Sequence, residues 1–207
     1  MSENKIVLIG YSGHGLVVAE TAKATNMNLR YYTEKKVMKQ NPYQLDYLGF
    51  EDNPAFSSWD ESYDFILGIG NNNIRKRLAK LTFSKKKKLL NVINPSANIS
   101  EYTIIGQGNF IAKNAIVNIL AKIGDYCILN TGCIIEHECV IANGVHIAPG
   151  ALLLGGVKVG EQTFIGSNSV IKENVTIGQN VIIGSGAVVI NDVADHSKIV
   201  GNPGKAI

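Results

Sequence analysis

The sequence is poor in the residues on which several protein classes depend. Of 207 residues only 18% are charged, tryptophan occurs once and proline five times. The three cysteines are an odd number in a chain whose start does not read as an export signal, which is poor material for a disulfide framework. Nowhere do 18 or more apolar residues run together, so no segment reads as a membrane-spanning helix. The opening MSENKIVLIGYSGHG has no basic segment leading into a long apolar one, and Gly10 interrupts its apolar run, so a signal peptide is not expected and a cytoplasmic location is. No set of histidines, cysteines and carboxylates has metal-ligand spacing, and no basic stretch interleaved with aromatics points to nucleic acid.

What the chain does have is apolar bulk. Hydrophobic residues make up 45% of it, enough for a sizeable core and against disorder. The net charge of +3 is unevenly spread. Residues 1–98 hold 14 Lys/Arg against 9 Asp/Glu, and residues 99–207 hold 6 against 8, a split that suits an anionic ligand near the first half. Lys85, Lys86, Lys87 and Lys88 form one cationic run. It reads as a solvated surface after a helix, with attraction of a coenzyme or nucleotide phosphate as the alternative.

The dominant signal is a period of six. Steps of six from Ile99 land on Ile105, Ile111, Val117, Ile123 and onward to Val189, sixteen aliphatic residues without a break. Four places after each stands a small or β-branched residue in nearly every hexad, including Cys127, Cys133, Cys139, Ala151 and Ser169. Six is neither helical periodicity nor strand alternation. It fits a triangular solenoid in which a hexad supplies one short strand and one corner, three hexads make an 18-residue coil, and coils stack about 4.8 Å apart. The aliphatic residue fills the interior and the small one fits where the chain turns. The three cysteines are therefore expected to pack inward rather than bind zinc.

The first half reads differently. KIVLIG is a short apolar strand, YSGHG a glycine-rich turn and LVVAETAKAT a helix, a βα unit whose G-x-x-G-x-G spacing (Gly10, Gly13, Gly15) misses the dinucleotide fingerprint. Glycines at a helix N-terminus still let a phosphate or nucleotide approach backbone N–H groups, although a bare structural turn fits these residues too. A second strand over Leu29–Thr33 ends at Glu34, where doubly wound folds place an acid against a ribose or base. A third over residues 65–69 runs into GNNNIRKRLAKL, where Asn71, Asn72 or Asn73 can cap a helix. Three βα-type units are expected, with Gly10, Glu34 and Gly70 along one sheet edge. Pro95 marks the junction, giving a nucleotide-sugar-binding α/β domain over 1–94 and a left-handed parallel β-helix, with a coenzyme-binding tail, over 95–207.

The stretches YSGHGLV, IGNNNIRK, LNTGCIIEHECVI and GNPGKAI together make the chain resemble the bacterial sugar O/N-acetyltransferases of the sialic-acid acetyltransferase type, over nearly its whole length. Within that family it looks most like enzymes that acetylate the 4-amino group of a UDP- or dTDP-linked 4-amino-4,6-dideoxy sugar, such as the one forming a diacetylated bacillosamine nucleotide. The resemblance implies His137 as general base and Glu138 as the acid orienting it. It implies acetyl-CoA contacts at His146, Gly155, Ser167, Ser185 and Lys205 of the terminal G-x-P-x-K segment. It places the nucleotide sugar on Ser12, Gly13, His14, Gly70 and Asn71, with Glu34 at the base or ribose. Relatives often carry aspartate after the second strand where this chain reads Tyr32-Thr33-Glu34, which bears on base preference. A homotrimer with coenzyme between subunits is also implied.

The register supports several of these roles independently. Two places after the aliphatic residue, a hexad side chain projects outward, and His137 holds that place with Glu136 and Glu138 beside it. A carboxylate partner is what an imidazole base needs to fix its tautomer. Gly155 lies one 18-residue coil after His137, so its N–H is placed to meet an oxyanion. Ser167 and Ser185, likewise one coil apart, form a track for a pantetheine arm. With the cysteines inward, direct attack in a ternary complex is favoured over an acyl-cysteine. The rival readings are O-acetylation of sialic acid or a related sugar on the same scaffold, and a non-catalytic nucleotide-sugar-binding hexapeptide protein. Serine or maltose acetylation would leave the α/β domain without a job.

Overall fold

A computed structural model describes residues 4–207. The chain begins with a four-stranded parallel sheet of β1 (Ile6–Ile9), β2 (Leu29–Thr33), β3 (Asp46–Tyr47) and β4 (Asp64–Leu67), ordered β3-β2-β1-β4. Helix α1 (Gly13–Ala24) follows β1, and helix α2 (Asn72–Ser84) follows β4. β1 and β4 are buried along their whole length, as expected of strands covered on both sides. The second of the three expected βα units, the one begun by β2, lacks its helix. Residues 34–63 form only β3 and a single 3₁₀ turn, Ser57–Trp59, because Asn41, Pro42, Gly49, Asn53 and Pro54 punctuate the segment with turn chemistry.

From Val92 onward the chain is a parallel β-solenoid with three faces. The first face is an eight-stranded sheet running from Val92–Ile93 through Phe110–Ile111, Ile128–Leu129, His146–Ile147, Phe164–Ile165 and Ile182–Ile183 to the C-terminal strands. The second has six strands, among them Ile134–Ile135, Leu152–Leu153, Val170–Ile171 and Val188–Val189. The third has five, including Lys122–Ile123, Val140–Ile141 and Lys158–Val159. Stacked partners are 18 residues apart, as in Ile134 with Leu152 and Ile128 with His146. The first rung, Val92–Ile93 against Phe110–Ile111, lies just ahead of Pro95. The hexad aliphatics and the small residues, including all three cysteines, form one continuous interior.

The two parts share core. Phe110 and Ile128, outward on the first face, are 2% and 1% exposed because α1 and its neighbours cover them. Each such side chain contributes roughly 1.5–3 kcal/mol to the docking. The N-terminal domain thus caps the lower first face, leaving the second and third faces and the upper first face open.

Candidate active site

The strand ends do gather on one edge. The Gly10 N–H donates to the Thr33 carbonyl, the Gly68 N–H to Ile9, and the Tyr11 N–H to the Glu34 carboxylate at 3.3 Å. Gly10, in the left-handed region at φ +84°, and Gly15 pack backbone on backbone: a Cβ on Gly15 would collide with the Gly10 carbonyl. These glycines serve close packing. Gly13 faces open space, and Ser12, the exposed α1 N-cap, makes no side-chain cap bond. Asn71 caps α2, accepting from the Ile74 N–H at 3.1 Å, and Gly70 lies against the Cβ of His14.

His14 and His146, 132 positions apart, meet across the domain junction with ring centroids 6.4 Å apart. His14 stands edge-on to Phe110, and His146 edge-on to Phe164 at 5.0 Å. His146 Nε2 accepts from the Asn130 side chain at 3.2 Å. Burial, and then the positive charge of Arg75, depress both imidazoles, His14 to about 4 and His146 to about 3, so both are neutral at physiological pH. His14 Nε2 and His146 Nδ1 are buried and lack a well-formed hydrogen bond, though the Gly70 backbone lies close enough to His146 to favour its charged form slightly. Above them a cavity of about 370 Å³ lies between Gly70, Asn71, Asn72 and Asn73 on one side and Gln162, Phe164 and Ile182 on the other.

His137 occupies the corner joining the second and third faces, opposite this cavity. Its side chain is 56% exposed, and Nδ1 donates to Glu138 Oε2 at 3.0 Å. Glu138 reaches it by adopting the left-handed region at φ +61°. Glu136 instead accepts from the Asn118 amide one coil below at 2.8 Å, so only one of the two flanking acids partners the imidazole. With Nδ1 engaged, Nε2 is left as the free base nitrogen. Gly155 lies directly against the ring: a Cβ there would be 2.5 Å from Cε1 and 2.6 Å from Nε2. Among the described residues the Gly155 N–H finds no acceptor, whereas the Gly156 N–H donates to the His137 carbonyl at 2.9 Å.

Ser167 and Ser185 occupy the corner between the first and second faces, partly exposed and exposed, with the Gly186 N–H donating to the Ser167 carbonyl across the coil step. The outward side chains of Leu152, Val170 and Val188 on the second face separate this corner from His137. Lys205 is exposed on the terminal strand, which folds back antiparallel on Val200. The structure therefore groups the sequence-predicted residues into three clusters: Ser12, Gly13, His14, Glu34, Gly70 and Asn71 along the strand-end edge of the first domain, with His146, expected among the coenzyme contacts, meeting His14 across the junction; His137, Glu138 and Gly155 on one corner; Ser167 and Ser185 on another. Burial pushes the thiols of Cys127 and Cys133 up to about 12 and that of Cys139 to about 11. Among the described residues no cluster of three potential ligands could hold a metal ion, and no helix is long and apolar enough to cross a membrane.

Sequence reasoning gave no site role to Arg75 or Phe164 and read Asn72 only as a possible helix cap. A signal for Arg75 existed: it takes the first place of the buried stripe 75, 78, 79, 82 on α2, where an apolar residue is ordinary.

A parallel α/β domain docked on a hexad solenoid with an exposed histidine–carboxylate pair defines a two-domain hexapeptide transferase. Residues 5–81 match the PglD N-terminal domain family, and residues 120–155 and 156–191 each match the bacterial transferase hexapeptide (six repeats) family. The chain belongs to the PglD-type sugar N-acetyltransferases of the hexapeptide-repeat class. It is 30% identical to the acetyltransferase domain of PglB from Neisseria gonorrhoeae FA1090, covering 99% of this chain and 100% of that one with a TM-score of 0.91; that domain is also known in complex with acetyl coenzyme A. It is 27% identical to perosamine N-acetyltransferase from Caulobacter crescentus, solved with CoA and GDP-perosamine, covering 100% of this chain and 98% of that one with a TM-score of 0.92. A stretch of 47 residues is 38% identical to the UDP-N-acetylbacillosamine N-acetyltransferase of Bacillus subtilis (strain 168), spanning 23% of this chain and 22% of that protein's length.

Proposed function

We propose that the protein transfers the acetyl group of acetyl-CoA to the 4-amino group of a UDP- or dTDP-linked 4-amino-4,6-dideoxy sugar, with His137 as general base. The observation that carries this reading is the His137–Glu138 pair, with its free Nε2 and the Gly155 N–H beside it. The related domain that binds acetyl-CoA and the relative that binds GDP-perosamine support the two substrates.

The sugar nitrogen attacks the thioester carbonyl, and His137 Nε2 takes the proton that nitrogen gives up. A well-placed base of this kind contributes roughly 10²–10⁴-fold, and Glu138 steadies the resulting imidazolium. The Gly155 N–H donates to the carbonyl oxygen as it becomes an oxyanion. The carbon–sulfur bond then breaks, and the proton held by His137 passes to the departing thiolate. The buried cysteine thiols, far from ionising, take no part.

The acceptor cavity beside Gly70 lies on the first face around Phe164 and Ile182, whereas His137 stands on the opposite corner of a lower coil, the one that carries Ile128. One chain cannot bring the two together, which supports a homotrimer whose sites form between neighbours. Exposed Tyr102, Ile104, Leu120 and Val140 form an apolar patch close to Glu138 that such a neighbour would cover.

The test is an acetylation assay with UDP-, dTDP- and GDP-linked 4-amino sugars beside free sialic acid. Turnover of a UDP- or dTDP-linked amine is expected, and turnover of sialic acid alone overturns the proposal.

A further inference from the structure

Arg75 is 1% exposed and carries no carboxylate partner among the described residues. Its guanidinium is satisfied by neutral oxygens. Nε donates to the Tyr126 carbonyl at 2.8 Å, one terminal nitrogen to the Gly144 carbonyl at 2.8 Å and the Asn72 side chain at 3.0 Å, and the other to the carbonyls of Gly70 at 3.0 Å and Ile69 at 3.3 Å. Asn72 in turn donates to the Gln162 carbonyl at 2.8 Å. Tyr126, Gly144 and Gln162 are successive corners of the solenoid, 18 residues apart. Arg75 and Asn72 therefore fasten the turn before α2 to three consecutive coils.

That turn is one wall of the acceptor cavity, and Gly70 within it touches His14. A flexible ammonium could not replace this fork, because the five bonds leave the guanidinium in one plane toward five fixed acceptors. A buried cation is costly unless it is fully hydrogen-bonded, and a leucine at the first place of the α2 stripe would fill the core without that cost. Something other than simple packing is served by the charge.

We propose that Arg75 is a positioning residue for the acceptor half of the site: it clamps the Gly70 turn and His14 onto the solenoid at the separation the nucleotide sugar requires. Burial first, and this charge second, keep the two neighbouring imidazoles unprotonated. The groups acting on His14 and His146 are Arg75 from α2 and, for His146, His14 from α1 and the Gly70 backbone; no carboxylate opposes them among the described residues. Both rings stay neutral at the junction, His146 beside the Gly70 backbone. The inference rests on the proposed acceptor, and its test is chosen to stand apart from it.

Arg75→Gln and Arg75→Lys, made in the full chain, are compared with wild type by KM and kcat for each substrate and by NMR titration of the histidine rings. For Arg75→Gln, KM for the nucleotide sugar is expected to rise at least about tenfold while KM for acetyl-CoA moves less than about threefold, and His14 or His146, silent between pH 5 and 8 in wild type, is expected to titrate there. Arg75→Lys keeps the charge without the fork: the rings should stay silent while the sugar KM still rises, which keeps the proposal testable if Arg75→Gln fails to fold. Lowered thermal stability with both KM values and both titrations unchanged overturns it. If wild type acetylates no nucleotide-linked amine, the function proposed above fails, and the ring titrations still decide whether Arg75 sets the charge state of the junction.

Discussion

The imidazole of His137 rests on the bare Cα of Gly155, so close that a methyl group there would lie 2.5 Å from Cε1. Glycine is required at that corner by the neighbour and not by its own backbone, which lies outside the left-handed region. Gly155→Ala should therefore fold with thermal stability within a few degrees of wild type, because the exposed His137 ring can swing aside. The swing parts it from Glu138, and kcat is expected to fall roughly 10–10²-fold. Unchanged turnover would show that the stacked geometry has no catalytic role.

Removing the base outright tests its assignment. His137→Ala should lose roughly 10²–10⁴-fold in kcat while keeping its affinity for acetyl-CoA, and Glu138→Gln should lose less, since it removes only the group that orients the ring. Steady-state kinetics beside equilibrium binding of the coenzyme separates the two. A His137→Ala enzyme with normal turnover would assign the base elsewhere.

If the site is shared between subunits, two inactive variants should rescue each other. His137→Ala and His14→Ala chains, unfolded together and refolded as mixed oligomers, are expected to regain part of the wild-type rate through sites holding one intact contribution from each chain. Sedimentation should show a trimer. No recovery from well-formed mixed oligomers would mean that each chain holds a whole site.

The buried histidines make stability depend on pH in a defined direction. Below the ordinary value of 6.5 the unfolded chain binds protons at His14 and His146, which the folded chain refuses until about pH 4 and 3. Stability is thus fully present above pH 6.5 and is lost as pH falls through that window, by on the order of 3 kcal/mol or more for each ring. Melting temperatures measured from pH 7 to 4 should fall, and replacing either histidine with a non-ionising residue should flatten the slope. A flat wild-type profile would contradict the buried, neutral pair.

The cysteines offer a check on the chemical route. With all three buried and their thiols held above the ordinary range, a thiol reagent should label the folded protein slowly and leave turnover intact, then modify all three on unfolding. Rapid inactivation by such a reagent would reopen an acyl-cysteine intermediate.

Much of this was legible in the hexad period, because a solenoid is built from local rules. Each coil stacks on the one 18 residues before it, so spacing alone puts Cys127 inside, His137 outside and Gly155 over His137. The strand ends of the first domain were legible for a similar reason, since short apolar runs stopped by glycine or asparagine define their own limits. The docking of the domains obeyed no such rule. Packing of α1 on Phe110 and Ile128 brought His14 to His146, chose Arg75 over the adjacent Lys76 and Arg77 for burial, and aimed Asn72 at Gln162. Which of Glu136 and Glu138 would face His137 depended on a left-handed turn at Glu138 and on Asn118 a coil away. The sequence by itself determined the scaffold and the outward place of His137 beside Gly155, since both follow from contacts repeated along the chain. Only the tertiary structure decided the cavity at the domain junction and the charge state of the histidines below it, since these depend on two surfaces meeting and on the water they exclude.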